Sequence, residues 1–340
     1  MRLFSKICLV WLMMFGMSAS VWAQRSVSEI KGSQAVSPQV KSIKVVASFS
    51  ILADMVKQIG GDAVEVVSMV GYGADAHVFS PTPADVRQIA QANWVVTNGL
   101  GFEGWMNRLI AASGYKGPVL VASEGVPALV EDHELVESHA KHGESNNESH
   151  NENAHVKSHS HDHHDDDQDP HAWQSLKNAK IYVENIRAGL VQLLPESRAA
   201  IDQRASDYQA RIDALDQYTH QAFYQIPLAN RRVMTTHDAF GYFAASYQIE
   251  FLSIQGWSTD REPSAAQVGQ LIRQIRQDRI KALFFEHLAD TRLVERIADE
   301  TGAKLGGTLY VDALTPPGTP ADTYLKMFAL NVETILKTLR

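Results

Sequence analysis

The chain has 340 residues, a formal net charge of −8, 45% hydrophobic residues and 21% charged residues. That is room for two modest domains of ordinary globular composition, and the acidic balance offers no broad basic surface to nucleic acid or to an anionic membrane. A single cysteine, Cys8, excludes a disulfide framework within the chain.

Residues 1–23 read as a secretory signal peptide. Arg2 and Lys6 form a basic n-region, and Cys8 to Met17 is an apolar run, short for a membrane anchor. Val21-Trp22-Ala23 offers a cleavage site, with Gln24 as the first mature residue. Cys8 lies too early for lipoprotein cleavage and lacks its small-residue context. The mature chain would then hold no thiolate, so any metal would be bound by nitrogen and oxygen. No later stretch is long and apolar enough to span a bilayer. The expectation is an exported, periplasmic protein.

Residues 24–42 carry little periodicity and read as a mobile arm. From there strands and helices alternate: a strand over Ile43 to Ser48, a helix over Ile51 to Ile59 closed by Gly60-Gly61, and a strand over Val64 to Met69. A Gly-rich segment leads to His77. Thr82 caps a helix opening at Pro83 and running to Ala92. A strand at Trp94 to Thr97, a helix at Phe102 to Ala112 and a strand at Val119 to Ala122 complete an α/β pattern with a largely parallel sheet. The segment 131–168 has no apolar period. It holds nine of the 14 histidines, His133, His139, His142, His150, His155, His159, His161, His163 and His164, among many acids. Such a stretch cannot bury enough apolar surface to offset the entropy of ordering and is expected to be a disordered insertion in an N-terminal domain spanning 43–194.

After Asp169-Pro170-His171 a helix is expected to Leu193. Residues 195–226 then form one long helix, with Ile201, Ala205, Tyr208, Ile212, Leu215 and Ala222 on one stripe. A helix of that length can pack on one domain or act as a stiff strut between two, and the strut is the favoured reading. The α/β rhythm returns over 227–340. Strands are expected at Arg232 to Thr235, Ile249 to Ile254, Ile280 to Phe285 and within Ala303 to Val311. Helices are expected at Ala239 to Tyr247, Pro263 to Gln277, Thr291 to Thr301 and Asp322 to Leu339. No Walker loop or Gly-rich dinucleotide fingerprint follows any strand, which argues against nucleotide chemistry.

Four residues sit just past strands or beside Pro and Gly turns, where parallel α/β sheets bind ligands: His77, His171, His237 and Asp312. Outside the 131–168 segment only five histidines exist: these three, His220 on the long helix, and His287, a rival ligand at a strand end. Taken alone, each of the three histidines reads more readily as a hydrogen-bonded loop or core histidine. Together they suggest a transition metal held by three imidazoles and one carboxylate, two ligands from each half.

Several stretches, in order and across nearly the whole mature chain, carry a resemblance. They are Ala76-His77-Val78-Phe79-Ser80-Pro81-Thr82-Pro83-Ala84-Asp85, Asp169-Pro170-His171-Ala172-Trp173, Thr235-Thr236-His237-Asp238-Ala239-Phe240, Glu262-Pro263-Ser264 and Tyr310-Val311-Asp312. The chain resembles the zinc-uptake solute-binding proteins of bacterial zinc and manganese ABC importers. The resemblance implies two α/β domains joined by a long rigid helix that limits closure to a small tilt, with the metal at their interface. It implies His77, His171, His237 and Asp312 as ligands and Glu286 as a supporting residue at a strand end. It also implies an ABC permease membrane subunit as partner, and a periplasmic metallochaperone is a candidate second partner. The protein is expected as a monomer.

Manganese-selective relatives are similar but carry a carboxylate where this chain has His237. Three imidazoles and one carboxylate suit tetrahedral zinc, whereas manganese prefers oxygen-rich sites. The expected cargo is Zn2+, with manganese or another divalent metal as the alternative. The histidine-rich segment is expected to capture or buffer zinc, with a solvated spacer as the plain alternative. A zinc hydrolase is the rival function. Four protein ligands would leave no open position for water, and no HExxH motif occurs, so an enzyme is not expected.

Overall fold

The computed structural model describes residues 42–129, 168–260, 263–280 and 282–340. The signal peptide, all but the last residue of the arm and all but the last residue of the histidine-rich segment lie outside these ranges.

Two four-stranded sheets form the frame. The first contains β1 (Ile43–Phe49), β2 (Val64–Val70), β3 (Trp94–Thr97) and β4 (Val119–Val121) in the order β2-β1-β3-β4. The second contains β5 (Arg232–His237), β6 (Glu250–Gln255), β7 (Ala282–Glu286) and β8 (Lys304–Leu309) in the order β6-β5-β7-β8. Every pairing is parallel, and the second order repeats the first. Helices cover the sheets, so the central strands read as unbroken apolar runs: Val45, Val46, Ala47, Val95 and Val96 are all fully buried. In each sheet the strand order reverses beside the first strand. That leaves a crevice at the carboxyl ends, between β1 and β3 and between β5 and β7.

The helices are α1 (Ser50–Gly60), α2 (Pro83–Ala90), α3 (Met106–Ser113), α4 (Leu176–Leu193), α5 (Arg198–Tyr224), α6 (Gly241–Tyr247), α7 (Ala265–Asp278), α8 (Thr291–Thr301) and α9 (Tyr324–Leu339). None among the described residues is long and apolar enough to cross a membrane. α5 has 27 residues, about 40 Å at 1.5 Å per residue. It buries Ile201, Ala205, Tyr208 and Ile212 and packs on α1, α4, α6 and α9. Arg204 on α5 donates from Nε to the Ile59 carbonyl at 2.7 Å and from Nη2 to the Gly60 carbonyl at 2.9 Å, closing the carboxyl end of α1. Gly61 makes this approach possible: it holds φ +58°, and a Cβ there would lie 2.9 Å from Arg204 Cζ.

Two boundaries differ from the sequence expectation for physical reasons. The helix expected from Phe102 begins at Met106, because Gly99, Leu100 and Gly101 hold positive φ and the buried Glu103 carboxylate accepts from the backbone nitrogens of Asn98 and Gly99. Those bonds hold the segment as turns. The strand expected to stop at Thr235 continues to His237, which still pairs with Gln255.

Candidate metal centre

Two of the histidines sit in the same local device. Asp75 Oδ1 accepts from the backbone nitrogen of His77 at 2.8 Å, and Asp169 Oδ1 accepts from that of His171 at 2.9 Å. An Asp two residues ahead thus fixes each turn. The first turn is tied to the second sheet's side by Thr259, whose hydroxyl donates to Asp75 Oδ2 at 2.6 Å. The second is tied to its surroundings at three points. Asn98 Nδ2 donates to the Pro170 carbonyl at 2.9 Å, and Trp173 Nε1 donates to the Val311 carbonyl at 3.0 Å. Tyr324 donates its hydroxyl to the Trp173 carbonyl at 2.6 Å. Trp173 and His171 are fully buried, and Phe102 stands edge-on to both His77 and His171. A wall of aromatic rings therefore limits where the imidazoles can swing.

His237 ends β5 and Glu286 ends the neighbouring β7, at the crevice where the strand order reverses. Glu286 Oε1 accepts from the backbone nitrogens of Thr236 and His237, both at 2.8 Å, and its Oε2 accepts from His237 Nδ1. His171 Nδ1 donates in the same way to Asp169 Oδ1, at 2.8 Å. A carboxylate facing Nδ1 fixes the proton there and leaves the Nε2 lone pair free.

Those lone pairs converge. The ligand-type atoms of His77, His171, His237 and Asp312 all lie within 4.8 Å of one another. The Nε2 atoms of His77 and His171 are 3.3 Å apart, and His237 Nε2 is 3.3 Å from Asp312 Oδ2. Asp312 also approaches His171 at 3.6 Å and His77 at 3.7 Å. Donors about 2.0–2.1 Å from a tetrahedral zinc would stand about 3.3 Å apart. His237 Nε2 and Asp312 Oδ1 are buried with no hydrogen-bond partner among the described residues. Unpaired polar atoms in such a place are costly unless something else binds them.

The electrostatics favour positive charge at this point. Burial would raise the Asp312 carboxyl, but the rings of His237, His171 and His77 outweigh it and hold it well below the usual range. Burial would lower His237, but Glu286 and Asp312 on either side hold it well above its usual value. His77 goes the other way. Burial takes it down to about 4, opposed by Asp312 and aided by the neighbouring imidazoles.

The remaining candidates stand elsewhere. His220 lies on α5, 3.6 Å from Asp216 and edge-on to Tyr247. His287 is exposed and leans on Tyr310. It lines, with Asp75, Thr236 and Asp290, a cavity of about 240 Å³ that reaches His237 and Asp312. The carboxylate behind His171 was not singled out from the sequence; the recurrence of Asp-x-His at 75–77 and 169–171 was the available signal.

The chain matches the family described as "Zinc-uptake complex component A periplasmic" over residues 45–338. It is 28% identical over 305 residues to the manganese ABC transporter substrate-binding lipoprotein PsaA of Streptococcus anginosus, covering 88% of this chain and 90% of that protein. It is 29% identical over 301 residues to the iron-binding protein YfeA of Yersinia pestis, covering 88% of each. Among solved structures it is similar to the periplasmic zinc binding protein TroA of Treponema pallidum, with a TM-score of 0.75 and 28% identity, over 88% of this chain and 99% of that one. With a family match across both sheets and four donors converging from segments around each, the chain belongs to the zinc-uptake complex component A family, the metal-binding components of ABC transporters, which carry a solute and are not enzymes.

Proposed function

We propose that the chain is the high-affinity zinc-binding component of its importer, taking up Zn2+ in the periplasm and presenting it to the membrane permease. His77, His171, His237 and Asp312 are the ligands, and Asp169 and Glu286 orient two of the imidazoles. The observation that carries this reading is the convergence of three imidazole nitrogens on one carboxylate, with His237 Nε2 and Asp312 Oδ1 buried and without a hydrogen-bond partner among the described residues. Nitrogen donors outnumber oxygen three to one, which suits zinc over manganese.

In this reading the two sheets with their helices act as two domains and α5 as the strut between them. Two ligands come from each side, so a bound ion draws the sides together. Export behind a signal peptide cleaved near Ala23, a monomeric state and supply by a metallochaperone belong to the same proposal. So does zinc capture by the histidine-rich segment. The residues flanking that segment support a link to the site: Asp169, two residues from His171, donates its backbone nitrogen to the Leu129 carbonyl at 2.9 Å, so the insertion leaves and returns at one point beside a ligand. Deleting 133–164 is expected to lower the number of zinc ions bound while leaving one tight site.

Metal analysis of the protein as purified, with and without His237→Glu, tests the assignment. Zinc in the unaltered protein, with a gain of manganese in the variant, is the expected result. Manganese in the unaltered protein would sink the zinc reading.

A further inference from the structure

Asp169 is fully buried, and its two carboxyl oxygens have unlike surroundings. Oδ1 takes both the backbone nitrogen and the ring Nδ1 of His171. Oδ2 has no hydrogen-bond partner among the described residues. What it meets instead is the first residue of α6: a Cβ built on Gly241 would lie 2.6 Å from Asp169 Oδ2 and 2.8 Å from Leu129 Cδ2. Gly241 opens a helix, where glycine is a poor choice on propensity. A glycine that serves no backbone need, set against a carboxylate one residue type larger would displace, marks a close approach. The next residue acts on the same segment. The Tyr242 hydroxyl accepts from the Leu129 nitrogen at 3.1 Å and donates to the Pro127 carbonyl at 3.3 Å, and the Leu129 carbonyl takes the Asp169 nitrogen.

We propose that Gly241 and Tyr242, in the first turn of α6, form a seat for Asp169 and through it position the His171 ring on the metal. The seat is carried by the half of the molecule that holds His237, whereas Asp169 and His171 lie on the other side of α5 in the chain. The orientation of one side's ligand therefore depends on a helix of the other. With no donor on Oδ2 among the described residues, His171 is the one described group that satisfies the carboxyl, which sharpens the ring's orientation. Both residues are positioning residues; neither touches the ion. The inference rests on His171 being a ligand, as proposed above.

The test uses the full-length protein with zinc affinity measured by competition against a chromophoric chelator, and with Co2+ as a spectroscopic probe of ligand geometry. Gly241→Ala is expected to weaken zinc binding roughly ten- to hundredfold, the usual cost of disturbing a group behind a metal-bound histidine, and to shift the visible bands of the cobalt form. The metal-free melting temperature should fall, since the added methyl must push Asp169 Oδ2 and Leu129 Cδ2 aside, so affinity is compared on protein that is folded at the assay temperature. Tyr242→Phe removes one hydroxyl without adding bulk and is expected to shift the same cobalt bands less; it serves if Gly241→Ala fails to fold. Asp169→Ala should match Gly241→Ala in direction, and the double variant should lose no more than the worse single one, because both act through one carboxyl. Losses that multiply in the double variant, or a Gly241→Ala protein with unchanged affinity and cobalt spectrum, overturn the seat while leaving the ligand assignment in place. His171→Ala with unchanged zinc affinity overturns the ligand assignment and the seat together.

Discussion

His237 stands between two carboxylates, Glu286 behind its ring and Asp312 in front. The two carboxylates hold its value well above the usual one and so favour the charged ring in the metal-free protein, whereas burial lowers His77 to about 4 and favours the neutral one. Zinc needs the neutral ring, so binding at pH 7 should release a proton from His237, and affinity should fall about tenfold per unit as pH drops below that group's value. Calorimetry in buffers of different ionisation enthalpy checks the proton; an identical heat in all of them would contradict it. Glu286 offers a second prediction. Three donors converge on it, and Glu286→Gln would turn an amide N–H toward one of them. Zinc affinity should drop about ten- to hundredfold, read by the same chelator competition. The four converging residues were legible from their places after strands and beside turns. The groups behind them were not, because a carboxylate that caps a turn and one that also grips a ring look alike in sequence. Only folding shows that Asp75 turns its second oxygen to Thr259 while Asp169 keeps its first on His171.

At the scale of elements, periodicity carried most of the fold. Val, Ile and Ala runs marked the central strands, and the stripe Ile201, Ala205, Tyr208, Ile212, Leu215 and Ala222 marked α5; all are buried except Leu215, which is half-buried. The misplacement at Phe102 came from a local cause that apolar spacing does not report: Glu103 bonds to Asn98 and Gly99 and holds turns where the spacing suits a helix. The tie between α5 and α1 was also hidden, since an arginine on a helix face reads as a solvated charge. Arg204 instead satisfies two carbonyls that α1 leaves open at its end. Arg204→Met keeps the stem and removes both bonds. It should destabilise the protein by about 1.5–3 kcal/mol, the range for hydrogen bonds to a charged group. Zinc affinity should stay unchanged, because the contact lies on the α1–α5 packing and touches no ligand. Denaturant melts with and without zinc separate the two effects; an affinity loss equal to the stability loss would place α5 in the binding step.

At the scale of the whole molecule, the same topology occurs twice, and the converging donors come two from the part of the chain that builds each sheet: His77 and His171 before α5, His237 and Asp312 after it. A ligand that binds only the folded form raises stability by RT ln(1 + [L]/Kd), about 2.7 kcal/mol at one hundred times Kd. Here the ion would hold residues from both sheets at once, so the gain belongs to the assembly of the halves and not to either alone. Zinc should therefore raise the midpoint of a single unfolding transition seen equally by probes on both sides. Trp173 beside His171 and Tyr247 at the end of α6 are suitable reporters, each buried in its own aromatic cluster. Removing a ligand from either side, by His171→Ala or by Asp312→Ala, should abolish the zinc-dependent rise for both reporters. A rise that survives at one reporter and vanishes at the other would mean that the metal stabilises one half only, and the shared site would fail as the link between them.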